Sequence, residues 1–93
     1  GSQLLIWATY RGDTKIAEMF IEAGANLDLQ LSDGWTALMR AVGDGRTEIA
    51  QMLIEAGANL DLQDSNGKTA LIWAARCGRT EIAQMLREAG AKE

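Results

Sequence analysis

A ten-residue segment occurs twice in the sequence, and the distance between its copies constrains the fold more than any other feature. The segment IEAGANLDLQ occupies residues 21–30 and again residues 54–63, an offset of 33 residues. Gly24, Gly57 and Gly90 keep the same spacing. A period of roughly 20 to 50 residues is typical of arrays in which each copy is a small unit that packs against its neighbours.

The copies divide the chain into three similar parts. A chain of 93 residues makes one domain, so we expect residues 1–93 to fold as a single array. The first copy lacks the turn that opens the other two and is expected to be truncated. Gly1 and Ser2 are most simply a vector remnant. The approximate copies are residues 3–30, 31–63 and 64–93.

Each copy contains two short helical patterns separated by a glycine. In the middle copy, the apolar residues of 38–42 lie on one side of the first predicted helix. Thr47 is predicted to cap the start of the second helix, and Gly57 is predicted to end it. The segment DSNG at 64–67 has the composition of a β-turn. The repeating unit is therefore turn, helix, helix and extended link.

Stacked copies bury their apolar faces against one another, and the two ends of a stack lack one neighbour. Met19, Met52 and Met85 recur at the same position of the second helices and are predicted to pack in the interior. Arg87 replaces an isoleucine of the earlier copies, as expected for an outer face. Leu4 stands where the later copies have alanine, which predicts uncovered apolar surface at the first copy.

The repeated residues resemble ankyrin repeats, whose unit opens with D-x-x-G-x-T-P-L-H-x-A-A-x-x-G-H. The matching segments are LSDGWTALMRAVGDGR at 31–46 and DSNGKTALIWAARCGR at 64–79, and TEIAQMLIEAGANLDLQ at 47–63 resembles the second helix and the link. The resemblance covers essentially the whole chain. It implies an all-α solenoid of about three stacked helix-turn-helix units with β-turn tips.

The chain departs from the family pattern at several turn positions. The histidine that ends the family motif is Arg46 in the middle copy and Arg79 in the last. The leading aspartate of the turn is present as Asp64 but is Leu31 in the middle copy. These departures predict that a familiar set of hydrogen bonds between side chains in the turns is missing.

Catalysis, cofactors and metals are not predicted. The sequence has no histidine, the commonest general base and transition-metal ligand. Cys77 is the only thiol, so it has no histidine to activate it; it is expected at the rim, inert or able to form an adventitious dimer. No phosphate-binding loop, dinucleotide motif or calcium loop is present. An enzyme is therefore the least favoured class.

Net charge and hydropathy favour a protein partner over nucleic acid or membrane. The formal charge of −4 supplies no cationic field for phosphates, and no apolar run is long enough to span a bilayer. One cysteine cannot form an internal disulfide, which fits a reducing compartment, so a cytoplasmic protein is predicted. The chain is expected to be a monomer in isolation.

The resemblance implies that partners bind the turn tips and the exposed side of the first helices. Arg40 is expected to lie over a neighbouring aromatic ring or to face a carboxylate of the partner. The predicted partner-binding residues are the variable ones at these positions: Trp35, Tyr10, Arg40, Leu31, Asp33, Asp44, Arg76, Lys68 and Asn66.

Trp35 is the strongest of these candidates. The next copy has Lys68 at the same position, so the fold leaves the position open, and tryptophan is enriched among interface anchors. The alternative is that Trp35 packs on its own turn. Trp7 and Trp73 share a position with Arg40 and are predicted to pack between helices instead.

Two functions remain open at this point. The irregular aromatic residues at the variable positions favour a selected or engineered protein binder. The second helices favour a structural repeat scaffold without a dedicated partner, because 12 of 13 residues are identical between 46–58 and 79–91.

Overall fold

The computed structural model describes residues 2–92 and contains three pairs of antiparallel helices within that range. Each pair belongs to one copy of the repeat, and the described residues include no strand. The all-α fold predicted from the sequence is confirmed. The helices are α1 (Ser2–Arg11), α2 (Thr14–Glu22), α3 (Ala37–Gly43), α4 (Thr47–Glu55), α5 (Ala70–Arg76) and α6 (Thr80–Glu88).

The pairs stack in order along the chain. The first helices α1, α3 and α5 form one layer, and the second helices α2, α4 and α6 form the other. Each layer contributes large side chains to a continuous core, because the same apolar positions recur every 33 residues. Fully buried examples are Leu5, Leu38, Ile49, Leu53, Ile82 and Leu86.

Threonine caps the start of α3 and α5 but not the start of α4. The hydroxyls of Thr36 and Thr69 accept the backbone N–H three residues further on, which satisfies a free donor of each first turn. The prediction that Thr47 caps α4 is wrong: Thr47 is the first helical residue, and Arg46 stands at the cap without a side-chain bond. Gly57 follows the last turn with φ +91°, as predicted.

The turn tips of neighbouring copies touch through their backbones. The amide of Ser65 donates to the carbonyl of Asp33 over 2.9 Å. Gly34 has φ +83°, and a Cβ atom there would lie 2.7 Å from the Cα atom of Asp64. Only glycine therefore fits at this position, because both the backbone angle and the adjacent tip exclude a side chain.

Two arginines replace the turn hydrogen bonds that the sequence predicted to be missing. Arg46 donates to the carbonyl of Tyr10 over 3.1 Å. Arg79 donates to the carbonyls of Val42 and Gly43 over 3.1 and 2.9 Å. These carbonyls belong to the ends of α1 and α3, where the helix dipole favours a cation. Each arginine thus ties its copy to the preceding one.

The links between copies are joined by a ladder of polar side chains. In each rung an oxygen of one copy accepts the same backbone N–H of the link. The first of these hydrogen bonds lies within copy one, where the hydroxyl of Ser2 in α1 accepts the amide of Asn26; Gly1 lies outside the described residues. The rungs join Ser2 to Asn26, Asp28 to Asn59, and Asp61 to Lys92.

Two residues predicted to be interior are exposed at the first copy. Met19 is 59% exposed and Trp7 is 50% exposed, because α1 and α2 have a neighbouring helix pair on one side only. Met52 and Met85 are half-buried, in accord with the prediction for them. The exposure of Leu4 and Arg87 also agrees with the sequence. Among residues 2–92, no helix is long and apolar enough to cross a membrane.

Candidate protein-interaction surface

A shallow groove of about 490 Å³ lies between the first helix of copy one and the turn and first helix of copy two. Its walls are mostly apolar, and one cation closes it on the side of α3. Tyr10 is the most exposed aromatic residue along it. The lining residues are Gln3, Ile6, Trp7, Tyr10, Leu31 and Arg40.

Arg40 lies between two aromatic rings from different copies. Its guanidinium carbon is 5.3 Å from the ring centroid of Tyr10 and 4.9 Å from that of Trp35. Asp44, which directly follows the last residue of α3, approaches the same guanidinium at 3.8 Å. The prediction that Arg40 lies over an aromatic ring is confirmed. Its position on the groove wall is fixed by three neighbours.

Trp35 is half-buried and packs against the next copy. Its ring centroid lies 5.2 Å from that of Trp73 at an interplanar angle of 47°. The ring also lies beside Gly43, where a Cβ atom would stand 3.4 Å from it. The sequence placed Trp35 and Trp73 in separate roles, whereas the structure makes them one aromatic pair. Part of Trp35 still reaches the surface next to Arg40.

Asp64 holds the other side of Trp73. Its Oδ2 accepts the indole N–H of Trp73 over 2.8 Å, and its Oδ1 accepts the backbone amides of Asn66 and Lys68. Burial raises the pKa of this carboxyl, but these hydrogen bonds and the charge of Lys68 together outweigh burial and hold the pKa below its usual value. The carboxylate is therefore stabilised in its ionised form.

The same cation–aromatic pairing occurs in copies two and three with the partners exchanged. In copy two the aromatic Trp35 is on the turn and the cation Arg40 is on the helix. In copy three the cation Lys68 is on the turn, with its Nζ 5.8 Å from the ring centroid of Trp73 on the helix. The contacts form a continuous row across all three copies: Tyr10, Arg40, Trp35, Trp73 and Lys68.

Copies two and three differ at the two positions that Asp64 and Trp73 occupy in the last copy. The middle copy has Leu31 and Arg40 there. Leu31 cannot accept hydrogen bonds with its side chain, and Asp33 accepts the amide of Trp35 instead. Both substituted residues line the groove. The middle copy has thus exchanged an internal hydrogen bond for two side chains on an open surface.

The nine predicted contact residues fall into two groups. Tyr10, Leu31 and Arg40 line the groove, and Trp35 and Asp44 contact Arg40. The remaining four lie on turn tips or at the end of α5: Asp33 and Asn66 are exposed on their tips, Lys68 is half-buried over Trp73, and Arg76 is exposed.

Three groove residues were not predicted as contacts. Gln3 and Ile6 belong to the first copy, whose opening turn is missing, and no pattern in the sequence distinguishes them. Trp7 was assigned to the interior, yet it is half-exposed, with Arg11 at 4.8 Å from its ring centroid. The repeat register does carry the signal, because Trp7 is equivalent to Arg40.

Within residues 2–92, no group of three or more histidine, cysteine, aspartate or glutamate side chains is placed to hold a metal ion. Cys77 is free and exposed, at the position that the sequence predicted.

Comparison with known proteins identifies the architecture. The chain gave no match to a curated protein. The family model of ankyrin repeats (three copies) matches residues 5–93, which includes helices α2 to α6 in full and α1 from its fourth residue onward. The stacked helix pairs, the tips and the 33-residue period agree with that match, and the chain belongs to the ankyrin-repeat family.

Proposed function

We propose that this chain is a non-catalytic protein-binding module that takes its partner on the groove between α1 and α3. Ankyrin repeats generally act as protein-interaction modules. The observation that carries the assignment to the groove is the placement of Tyr10, Leu31 and Arg40 on one open, mostly apolar surface. Tyrosine and arginine are enriched at the energetic centres of interfaces.

The composition of the groove defines what binds there. The exposed rings of Trp7 and Tyr10 offer apolar area with few rotatable bonds, so ordering them costs little entropy. Arg40 offers a cation that Asp44 only partly neutralises, at a distance of 3.8 Å. A partner segment that inserts an apolar side chain beside Leu31 and places a carboxylate near Arg40 fits this arrangement.

Trp35 supports the groove through its contact with Arg40. Its ring holds Arg40 from one side while Tyr10 holds it from the other. Preorganised side chains bind with less entropy loss than free ones. We therefore assign Trp35 a positioning role as well as a contact role.

A repeat scaffold without a dedicated partner, natural or laboratory-made, is the second candidate. The near identity of the second helices favours it, since a repeated sequence alone satisfies the stack. The sequence differences on the side of the groove favour binding over a scaffold. At the positions of Asp64 and Trp73 in the last copy, the middle copy has Leu31 and Arg40.

A capture experiment with matched variants tests the proposal. The immobilised chain is exposed to cell extract, and bound proteins are quantified against the Leu31→Ser and Leu4→Ser variants. Leu31 lines the groove and is 37% exposed, whereas Leu4 is 47% exposed and lies outside the groove. Loss of specific proteins in Leu31→Ser and their retention in Leu4→Ser support the groove. Equal capture by all three proteins, or no capture, favours the scaffold.

A further inference from the structure

The outer face of the first copy carries side chains that the later copies bury. Leu4 is 47% exposed, whereas its equivalents Ala37 and Ala70 are 1% and 2% exposed against the preceding copy. Met19 shows the same contrast with the half-buried Met52. This face is therefore built like the side of a repeat that receives another repeat.

The outer face of the last copy shows the converse. Ile72 is 38% exposed, whereas its equivalents Ile6 and Met39 are 7% and 1% exposed. Ala75 is exposed where Val42 is fully buried. The two outer faces thus carry residues equivalent to those that pack against each other from the two sides of an internal junction.

We propose that these two faces bind each other, so that a second copy of this chain stacks head to tail on the first. The 33-residue register specifies which residues meet, because each contact at an internal junction has an equivalent at the new one. This inference goes beyond the groove and does not depend on its partner.

The proposed interface between two molecules is called the new junction. The positions that make aromatic contacts at the internal junctions have equivalents there that can form cation–aromatic pairs. Trp35 packs on Trp73 at the second internal junction. The equivalent pair at the new junction is Lys68 of one molecule with Trp7 of the next molecule. Tyr10 packs on Arg40, and the equivalent pair is Arg76 with the same Trp7. Arg11 of its own molecule already lies 4.8 Å from the ring centroid of Trp7, and the exposed part of that ring would thus face cations of the neighbouring molecule.

Charges on the second helices are also complementary. Lys15 and Glu48 line one shallow groove between α2 and α4, at the first junction. The equivalent pair at the new junction is Glu81 of one molecule with Lys15 of the next molecule. Opposite charges therefore face one groove there, as they do at the first junction, which Glu18 also lines. At the second junction, by contrast, the equivalent residues are Glu48 and Glu81, which have the same sign.

The new junction is weak. The molecule measures 30 × 26 × 21 Å, so one end face covers about 500 Å² per copy, and the pair buries about 1,000 Å², at the lower limit for specific interfaces. Asp13 stands where Arg46 ties the first junction to a backbone carbonyl, so that hydrogen bond is not reproduced. The chain is then a monomer when dilute, as the sequence predicted, and associates when concentrated.

Sedimentation velocity on the full chain from about 10 μM to about 1 mM tests the association. The weight-average mass is expected to rise and to exceed that of a dimer at the highest concentration, because a head-to-tail interface does not close on itself. Leu4→Glu blocks the face of α1, and Ala75→Arg blocks the face of α5. Each variant alone is expected to remain a monomer.

Mixing the two variants provides the decisive measurement. Each variant retains the face that the other lacks, so an equimolar mixture is expected to form a dimer and nothing larger. Monomeric wild type at every concentration, self-association by either single variant, or a mixture that stays monomeric would overturn the proposal. Circular dichroism confirms that the variants fold; if Ala75→Arg does not, Ile72→Gln replaces it.

A charge exchange tests the register itself. Lys15→Glu and Glu81→Lys are each expected to weaken association at least threefold, and the double variant is expected to recover most of the loss. Failure to recover overturns the assigned register. Leu31→Ser serves as the control, because it alters the partner groove and leaves both outer faces intact. Its self-association should equal that of the wild type, whatever its effect on partner capture.

Discussion

The guanidinium of Arg40 joins two copies of the repeat by lying between the ring of Tyr10, 5.3 Å away, and the ring of Trp35, 4.9 Å away. Tyr10 belongs to the first copy and Trp35 to the second. One side chain therefore links the stability of the junction to the shape of the groove. The residues that form the candidate surface also hold the repeats together.

Removing the charge of Arg40 should weaken this junction. Arg40→Met keeps most of the aliphatic stem but loses both cation–aromatic contacts, so we expect the free energy of unfolding to fall by about 1 kcal/mol. Urea denaturation measures it. In a double-mutant cycle with Tyr10→Leu, the coupling should be about 0.5 kcal/mol or more. Independent, additive losses would show that the ring and the guanidinium do not interact.

Trp35→Ala should destabilise the protein as well as weaken partner binding. The sequence indicated that the fold leaves this position open, but the ring packs on Trp73 and Arg40, and the loss of an aromatic pair and its buried area costs about 2 kcal/mol. Thermal unfolding measures the change. Lys68→Ala, at the same position of the next copy, is the matched control and should cost about 0.5 kcal/mol or less. Equal effects of the two changes would contradict the packing role.

Acid should destabilise the last turn through Asp64. The pKa of this carboxyl is held below its usual value in the folded protein by hydrogen bonds from two backbone amides and from the indole of Trp73. The unfolded chain has the ordinary pKa, near about 3.9. The stabilisation is therefore fully present above about pH 4 and is lost as the pH falls through the lower, folded pKa. Chemical denaturation between about pH 5 and pH 2.5 measures this loss.

The Asp64→Asn variant is the control for the acid effect. Asparagine cannot ionise and keeps the shape of the side chain, so we expect a loss of about 2 kcal/mol at neutral pH and a smaller further loss in acid. Emission from the indole of Trp73 should change in the same variant, since its N–H loses a charged acceptor. An acid profile unchanged from wild type would assign the acid effect to other carboxylates.

The sequence predicted the array well because the period is a property of the core. Equivalent leucines recur every 33 residues, and burying them requires the same helix pair each time. The period does not show whether a given position has a neighbour on both sides. Trp7 and Met19 were therefore placed inside although they lie on an outer face. Nor did it reveal contacts between different positions of adjacent copies, such as Trp35 with Trp73.

Capping was missed for a local reason. A threonine before a helical pattern predicts a cap, but Thr47 already has helical geometry, and the residue before it uses its guanidinium to reach Tyr10. That long-range hydrogen bond joins residues 36 positions apart, which no short sequence window contains. Position in the stack, rather than residue preference, sets the role of Arg46.

Arg79 should contribute more to stability than Arg46. Arg79 donates to two carbonyls at the end of α3, whereas Arg46 donates to the carbonyl of Tyr10 at the end of α1. We expect Arg79→Ala to lower the free energy of unfolding by about 2 kcal/mol and Arg46→Ala by about 1 kcal/mol. Urea titrations of the two variants measure the difference. The reverse order would show that these bonds are not what ties the copies together.

Leu31→Asp should separate stability from binding. The substitution places in the middle copy the turn aspartate that the last copy has as Asp64. Asp64 accepts two backbone amides of its turn, so an aspartate at position 31 adds a hydrogen-bond acceptor for the backbone amides of the middle turn. We expect the free energy of unfolding to rise by about 0.5 to 1 kcal/mol.

The same change removes an apolar side chain from the groove and adds a negative charge to it, so affinity for a partner that presents a carboxylate to Arg40 should fall at least tenfold. Thermal unfolding and titration calorimetry with the captured partner measure the two effects. A variant that is less stable and binds unchanged would mean that Leu31 serves the fold, and that the middle copy did not exchange turn stability for a binding surface.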